Sequence, residues 1–188
     1  MSTRQRCYVP LTLDAFAARL RTADGPAPET SDGRDRAGGQ HATHGHGTNA
    51  LIVAEAGAQV CAVEPGQLAL GGEEAELAEY EAFAGAAALA AGLATAGGAA
   101  SRRLVLAADA PRGALEQLEG RIHRLREPLR LADVVSGHVD EPEAVARARA
   151  GDDGAGGDEE AAAALADEDL LWYDVSELGD LAAEASRP

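Results

Sequence analysis

One long helix over Glu73–Thr95 constrains this chain more than any other feature. Glu73, Glu74 and Glu76 open it and complement the positive end of its dipole. Gly97-Gly98 follows its last turn as a stop signal. Leu77, Tyr80, Ala84, Ala87 and Ala91 share one face at helical spacing, and a helix this rich in small residues suits close packing. Close packing is what the rest of the chain demands. Aromatic residues are only 3% of the 188, so the core must come mainly from Leu, Val and Ala. Small side chains remove little area from water, each Å² contributing ~25 cal/mol. The uncharged run Ala82–Ser101 is long enough to span a bilayer, but Phe83, Leu89 and Leu93 are its only strongly apolar residues, so it reads as no span. The first 20 residues lack a continuous apolar stretch and do not read as a signal peptide. These observations point to a soluble, cytoplasmic protein.

Around that helix, strands and helices alternate. Arg6–Leu11 reads as a strand, followed by a helix over Leu13–Arg21 with Thr12 as its N-cap and Leu13, Phe16, Ala17 and Leu20 as its apolar stripe. Residues 22–48, rich in Gly, Asp, Pro, Ser and His, have too little apolar surface to offset their ordering entropy and read as a flexible insertion. Ala50–Ala54 and Gln59–Val63 suit a hairpin turning at Gly57. Arg103–Ala108 reads as a buried strand. Leu115, Leu118, Ile122, Leu125 and Leu129 fit one amphipathic helix interrupted by Gly120; a short helix and then a strand over Arg121–Arg126 fits as well. Ala132–Val139 is a further strand and Pro142–Ala150 a further helix. An acidic Gly/Ala segment over 151–169 precedes a strand over 170–175, which is expected to return to the sheet with Trp172 and Tyr173 as core anchors. The expectation is a single α/β or α+β domain over 1–188, with a small mixed sheet in two or three layers.

The segments CYVPLTLDAFAARL, RRLVLAADAP, PLRLADVVSGHVDEPE and LLWYDVSELGDL, in that order, resemble an uncharacterised actinobacterial family, a domain of unknown function. The resemblance implies a small cytoplasmic protein of GC-rich bacteria and favours the strand over Arg121–Arg126. It carries no activity and no catalytic residues. Residues 33–72 depart from the family's pattern in length and composition. The GC-rich source agrees with the composition: Ala accounts for 44 residues, Gly for 22, and all 16 basic residues are Arg.

Two clusters could carry chemistry. His41, His44 and His46 could bind Zn²⁺ or Ni²⁺ through neutral imidazoles, with Cys7 or Cys61 as a conceivable further donor. The competing reading is a solvated loop that happens to contain His. His138 and Asp140 stand at i and i+2, on one face of a strand, and Asp109 ends another predicted strand that could neighbour it. A His beside carboxylates can act as a general base, which makes a small metal-dependent or His/Asp-based hydrolase the rival function. Against it, Asp140-Glu141-Pro142-Glu143 also looks like an ordinary helix start. Cys7 and Cys61 read as buried, inert thiols. No G-x-S-x-G, P-loop or strand-linked G-x-G-x-x-G occurs, so no cofactor is expected.

Charge is uneven. The net of −16 disfavours nucleic acid as a partner. Residues 139–186 hold fifteen acidic and two basic residues, whereas Arg clusters over 102–130. The acidic region either folds back over the Arg-bearing face, solubilises the chain, or masks an anion-binding surface. The leading functional reading is a non-enzymatic binding or regulatory module acting through protein contacts, with no nucleic-acid or membrane partner.

Overall fold

The computed structural model describes residues 3–23, 51–98, 101–150 and 157–185. Strand β1 (Arg4–Thr12) turns Cys7, Val9 and Leu11 to one face and Tyr8 to the other, the alternation that an extended backbone imposes. It runs straight into α1 (Leu13–Ala23), where the Ala15 amide donates to Thr12 Oγ1 at 3.2 Å. Strand β4 (Arg103–Pro111) lies antiparallel to β1 along its full length, from Arg4 opposite Pro111 to Thr12 opposite Arg103. On the other side of β1 come β3 (Gln59–Ala62), β6 (Ile122–Leu125) and β5 (Leu115–Glu119). Beyond β4 come β8 (Val134–Val139) and β9 (Leu171–Asp174).

The result is a seven-stranded sheet of order β5-β6-β3-β1-β4-β8-β9. The fold class is mixed helix and sheet, but the sheet itself is not mixed: every described pairing is antiparallel. The reason lies at its centre. Strands β3 and β4 are joined through the long helix and point the same way, as in a parallel crossover. However, β1 fills the position between them and runs against both.

Helix α2 (Glu73–Gly97) covers one face of the sheet, and α3 (Ala144–Ala150) and α4 (Asp158–Ala166) pack with its C-terminal half. Helices α1 and α5 (Leu178–Ala185) cover the other. Three layers follow. The buried stripe of α2 is Ala78, Ala82, Ala86, Ala90 and Ala94, spaced by four and flanked by Ala87 and Ala91. Leu77 and Tyr80 instead point outward, 57% and 65% exposed. The small side chains let the helix axis approach the sheet, with Phe83 and Leu89 packed beside the stripe and Leu77 and Tyr80 turned out. Residues 158–166 of the acidic segment are α4, which buries Ala161 and Leu165.

Two local expectations change. Ala50–Ala54 and Gln59–Val63 form no hairpin with each other. Strand β2 (Ile52–Ala54) pairs instead with β7 (Leu129–Arg130), while β3 pairs with β6. The chain bends at Glu55–Ala58 without reversing, and β6–β7 follows the bend as a counter-running ribbon, held by Gly57 N–H to Leu125 O at 2.7 Å and Leu125 N–H to Ala58 O at 2.9 Å. The 115–125 stretch is a hairpin, not a helix. Gly120 makes its turn at φ +52°, a left-handed conformation that favours Gly, and Gln117 Nε2 donates to Gly120 O at 2.9 Å.

Candidate functional site

Asp140 follows β8 and is fully buried with Arg103 at the start of β4. Its Oδ2 accepts the Arg103 amide at 2.7 Å, and its Oδ1 accepts Arg103 Nε at 2.8 Å and Nη2 at 2.7 Å. Arg103 Nη2 also donates to Glu168 O at 2.8 Å, which ties down the chain leading into β9. Arg102 Nε donates to the Asp140 carbonyl at 2.9 Å. Both carboxylate oxygens are therefore committed to one guanidinium and one amide. This is a structural clamp joining β4, β8 and the segment after α4, and it leaves Asp140 unsuited to general-base work.

His138 lies on the α2 side of β8. Its ring is 4.7 Å from that of Phe83, which also packs edge-on to Tyr8 at 5.6 Å. Burial under this cover pushes the His138 pKa below the ordinary imidazole value, because desolvation disfavours the cation. Asp109 is elsewhere. Val105 stands opposite His138, and Asp109 is four residues further along β4, about 13 Å away at ~3.3 Å per residue. There it accepts Arg6 Nε at 2.8 Å. His138, Asp140 and Asp109 do not converge.

His41, His44 and His46 lie outside the described residues. Among the described residues, no group of three His, Cys, Asp or Glu side chains is placed to hold a metal. Cys7 and Cys61 occupy opposite faces of the sheet. Burial pushes their thiols up to about 12 and about 11 respectively, far from the thiolate needed for ligation or attack.

Apart from Asp140, the described ion pairs of the acidic region are internal. Arg147 bridges Glu141 at 3.1 Å and Glu168 at 3.3 Å, and Arg149 bridges Asp158 at 3.0 Å while donating to Thr95 O at the end of α2. From the 102–130 cluster, Arg121 pairs with Glu81 and Arg126 with Glu116, both outside the acidic region. From the same cluster, Arg102 and Arg103 bond into that region.

Two grooves open among the described residues. One of about 460 Å³ lies between α1 and the start of α5, lined by Phe16, Leu20, Leu131, Val134, Val175 and Leu178. The other, about 360 Å³, is lined by Val9, Leu11, Arg19, Ala54, Leu89 and Leu93. Both are apolar, and neither contains the candidate catalytic groups.

What the structure presents instead is a pair of exposed apolar side chains on β9. Trp172 is not a core anchor: it is 61% exposed on β9, opposite His138, on the same side of the sheet as α2. Leu171 is 42% exposed beside it. Tyr173, opposite Gly137, packs against the other face. Residues 40–182 match a family profile described only as a family of unknown function, DUF6912. The chain belongs to that family. The DUF6912 match covers α2, the Arg103–Asp140 clamp and β9, and it leaves β1 and α1 outside. It takes in residues 40–72, part of the stretch set apart by composition. No curated protein and no solved structure matches the chain. No helix among the described residues is long and apolar enough to cross a membrane.

Proposed function

We propose that this DUF6912 member is a non-enzymatic binding or regulatory module of the bacterial cytoplasm, acting through protein contacts. One observation carries the reading. The chain has one Trp, three Tyr and two Phe, and it places Trp172 and Tyr80 on the surface. A core built mainly from Ala, Leu and Val would gain most from burying its largest side chains, at about 1.5–3 kcal/mol for a large apolar residue. Exposed aromatics on one side of a sheet match the composition of binding surfaces. The acidic balance argues against nucleic acid, and the Arg-only basic set with its Ala and Gly excess supports a GC-rich, actinobacterial source.

The test is affinity capture from the native host with the wild-type chain and with a Tyr80→Ser/Trp172→Ser variant. Both substitutions are at exposed positions and should leave the fold intact by circular dichroism. A specific partner lost with the variant is the expected result. An identical capture profile for both proteins would sink the reading.

A further inference from the structure

The two edges of the sheet are built differently. Strand β5, at one edge, carries one exposed Leu, Leu118, among Glu116, Gln117 and Glu119, a mostly charged and polar dressing that discourages pairing with another chain. Strand β9 forms the other edge with the sequence LWYD, and among the described residues it pairs only with β8. Leu171 and Trp172 project from opposite faces of that strand, and both are exposed. An edge meant only to resist pairing would not carry its two largest exposed apolar side chains there.

Charge decides what can sit on it. Asp167 and Asp169 lead into β9 beside Glu168, which Arg147 already bridges, and Asp174, Glu177 and Asp180 follow it, with no basic residue from 167 to 180. A second copy pairing through the same edge would bring two such acidic sets together, and like charges facing across a strand pair are destabilising. A partner with Lys or Arg at alternate positions would set its charges on the face of Trp172 and Asp174 and its apolar residues on the face of Leu171 and Tyr173. We propose that β9 accepts an extended basic segment of a partner protein as an eighth strand. This rests on the protein-contact reading and specifies its partner: backbone hydrogen bonds supply the affinity, Trp172 and Leu171 the apolar cover, and the flanking carboxylates the selection.

The test uses the full chain with synthetic peptides: acetylated Arg-Val-Arg-Val-Arg-Val amide, its Glu counterpart, and the Arg peptide with a central Pro. The readout is amide hydrogen exchange at residues 171–174. The basic peptide should slow exchange there by at least about tenfold. The acidic and Pro-interrupted peptides should not, and salt should weaken the effect. Asp169→Arg and Trp172→Ala, both at exposed positions, should each reduce the protection. The proposal is overturned if the basic peptide leaves β9 exchange unchanged, or if β9 is already protected in a self-associated form of the protein. A host partner that depends on Trp172 yet leaves β9 unprotected in its complex would overturn strand addition while preserving the protein-contact reading.

Discussion

Asp140 carries most of the lesson at the scale of single residues. The sequence places it two positions after His138 and suggests a catalytic pair, yet both its oxygens serve Arg103. The missed signal was Arg103 itself, a cation opening an otherwise apolar strand, which must find a buried counter-charge once that strand is central. Breaking such a pair from one side leaves an uncompensated buried charge. Asp140→Asn should therefore lower unfolding free energy by about 3–5 kcal/mol, whereas Arg103→Met/Asp140→Leu should recover most of the loss. Urea denaturation of the three proteins checks this, and equal losses in single and double variants would refute it.

His138 gives a pH dependence with a definite sign. Its folded pKa is depressed by burial under Phe83, so the unfolded chain takes up the proton first as pH falls. Its contribution to stability is complete above about pH 6.5 and is lost progressively below it, towards the lower folded value. The urea midpoint should drop more between pH 7.5 and 5.5 in the wild type than in His138→Leu. Parallel drops would show that the imidazole is not responsible.

Among elements, periodicity was readable and partnership was not. The α1 stripe, the Thr12 cap and the long α2 appear where spacing puts them, because helical period and capping are local properties. Which face of α2 is buried was not local. The sheet admits the Ala78–Ala94 stripe and rejects Leu77 and Tyr80, a choice made by the sheet's proximity. For the same reason, turn chemistry at Glu55–Ala58 marked a bend without saying that β2 and β3 would find different neighbours. Trp172 misled because an edge strand and a central strand of the same composition look alike in sequence.

The docking of α5 has a specific structural requirement in β8. A Cβ at Gly137 would fall 2.5 Å from Leu178 Cδ2 and 3.2 Å from Cδ1, and Leu178 is itself buried. Gly137→Ala should cost about 1–3 kcal/mol by forcing that side chain and its helix away. Combined with Leu178→Ala, which opens the space, the losses should sum to less than the two singles. Strict additivity in thermal or urea melts would show that the contact is not what couples them.

For the molecule as a whole, the C-terminal region is part of the body. Leu165, Leu178, Leu181 and Ala182 are buried in two separate clusters, one on each side of the sheet. Arg103 reaches the Glu168 carbonyl from the centre of the chain. Truncation after Ala150 removes α4, β9 and α5 together. It strips two fully covered leucines alone of burial worth about 1.5–3 kcal/mol each. The expected outcome is loss of the cooperative thermal transition. An unchanged melting temperature would show that the acidic region is a detachable appendage after all.

The placement of β1 also sets a timetable. Strand β1 precedes the other described strands in the chain yet lies at the centre of the sheet, and its long partner β4 is about a hundred residues later, as the Arg6–Asp109 pair shows. On the ribosome β1 must wait, extended and apolar on one face, until β4 has emerged. Helix α2 needs only its own neighbours to begin. Refolding should accordingly show helix signal ahead of a slower phase that closes the sheet, in the millisecond-to-second range typical of non-local strand pairing.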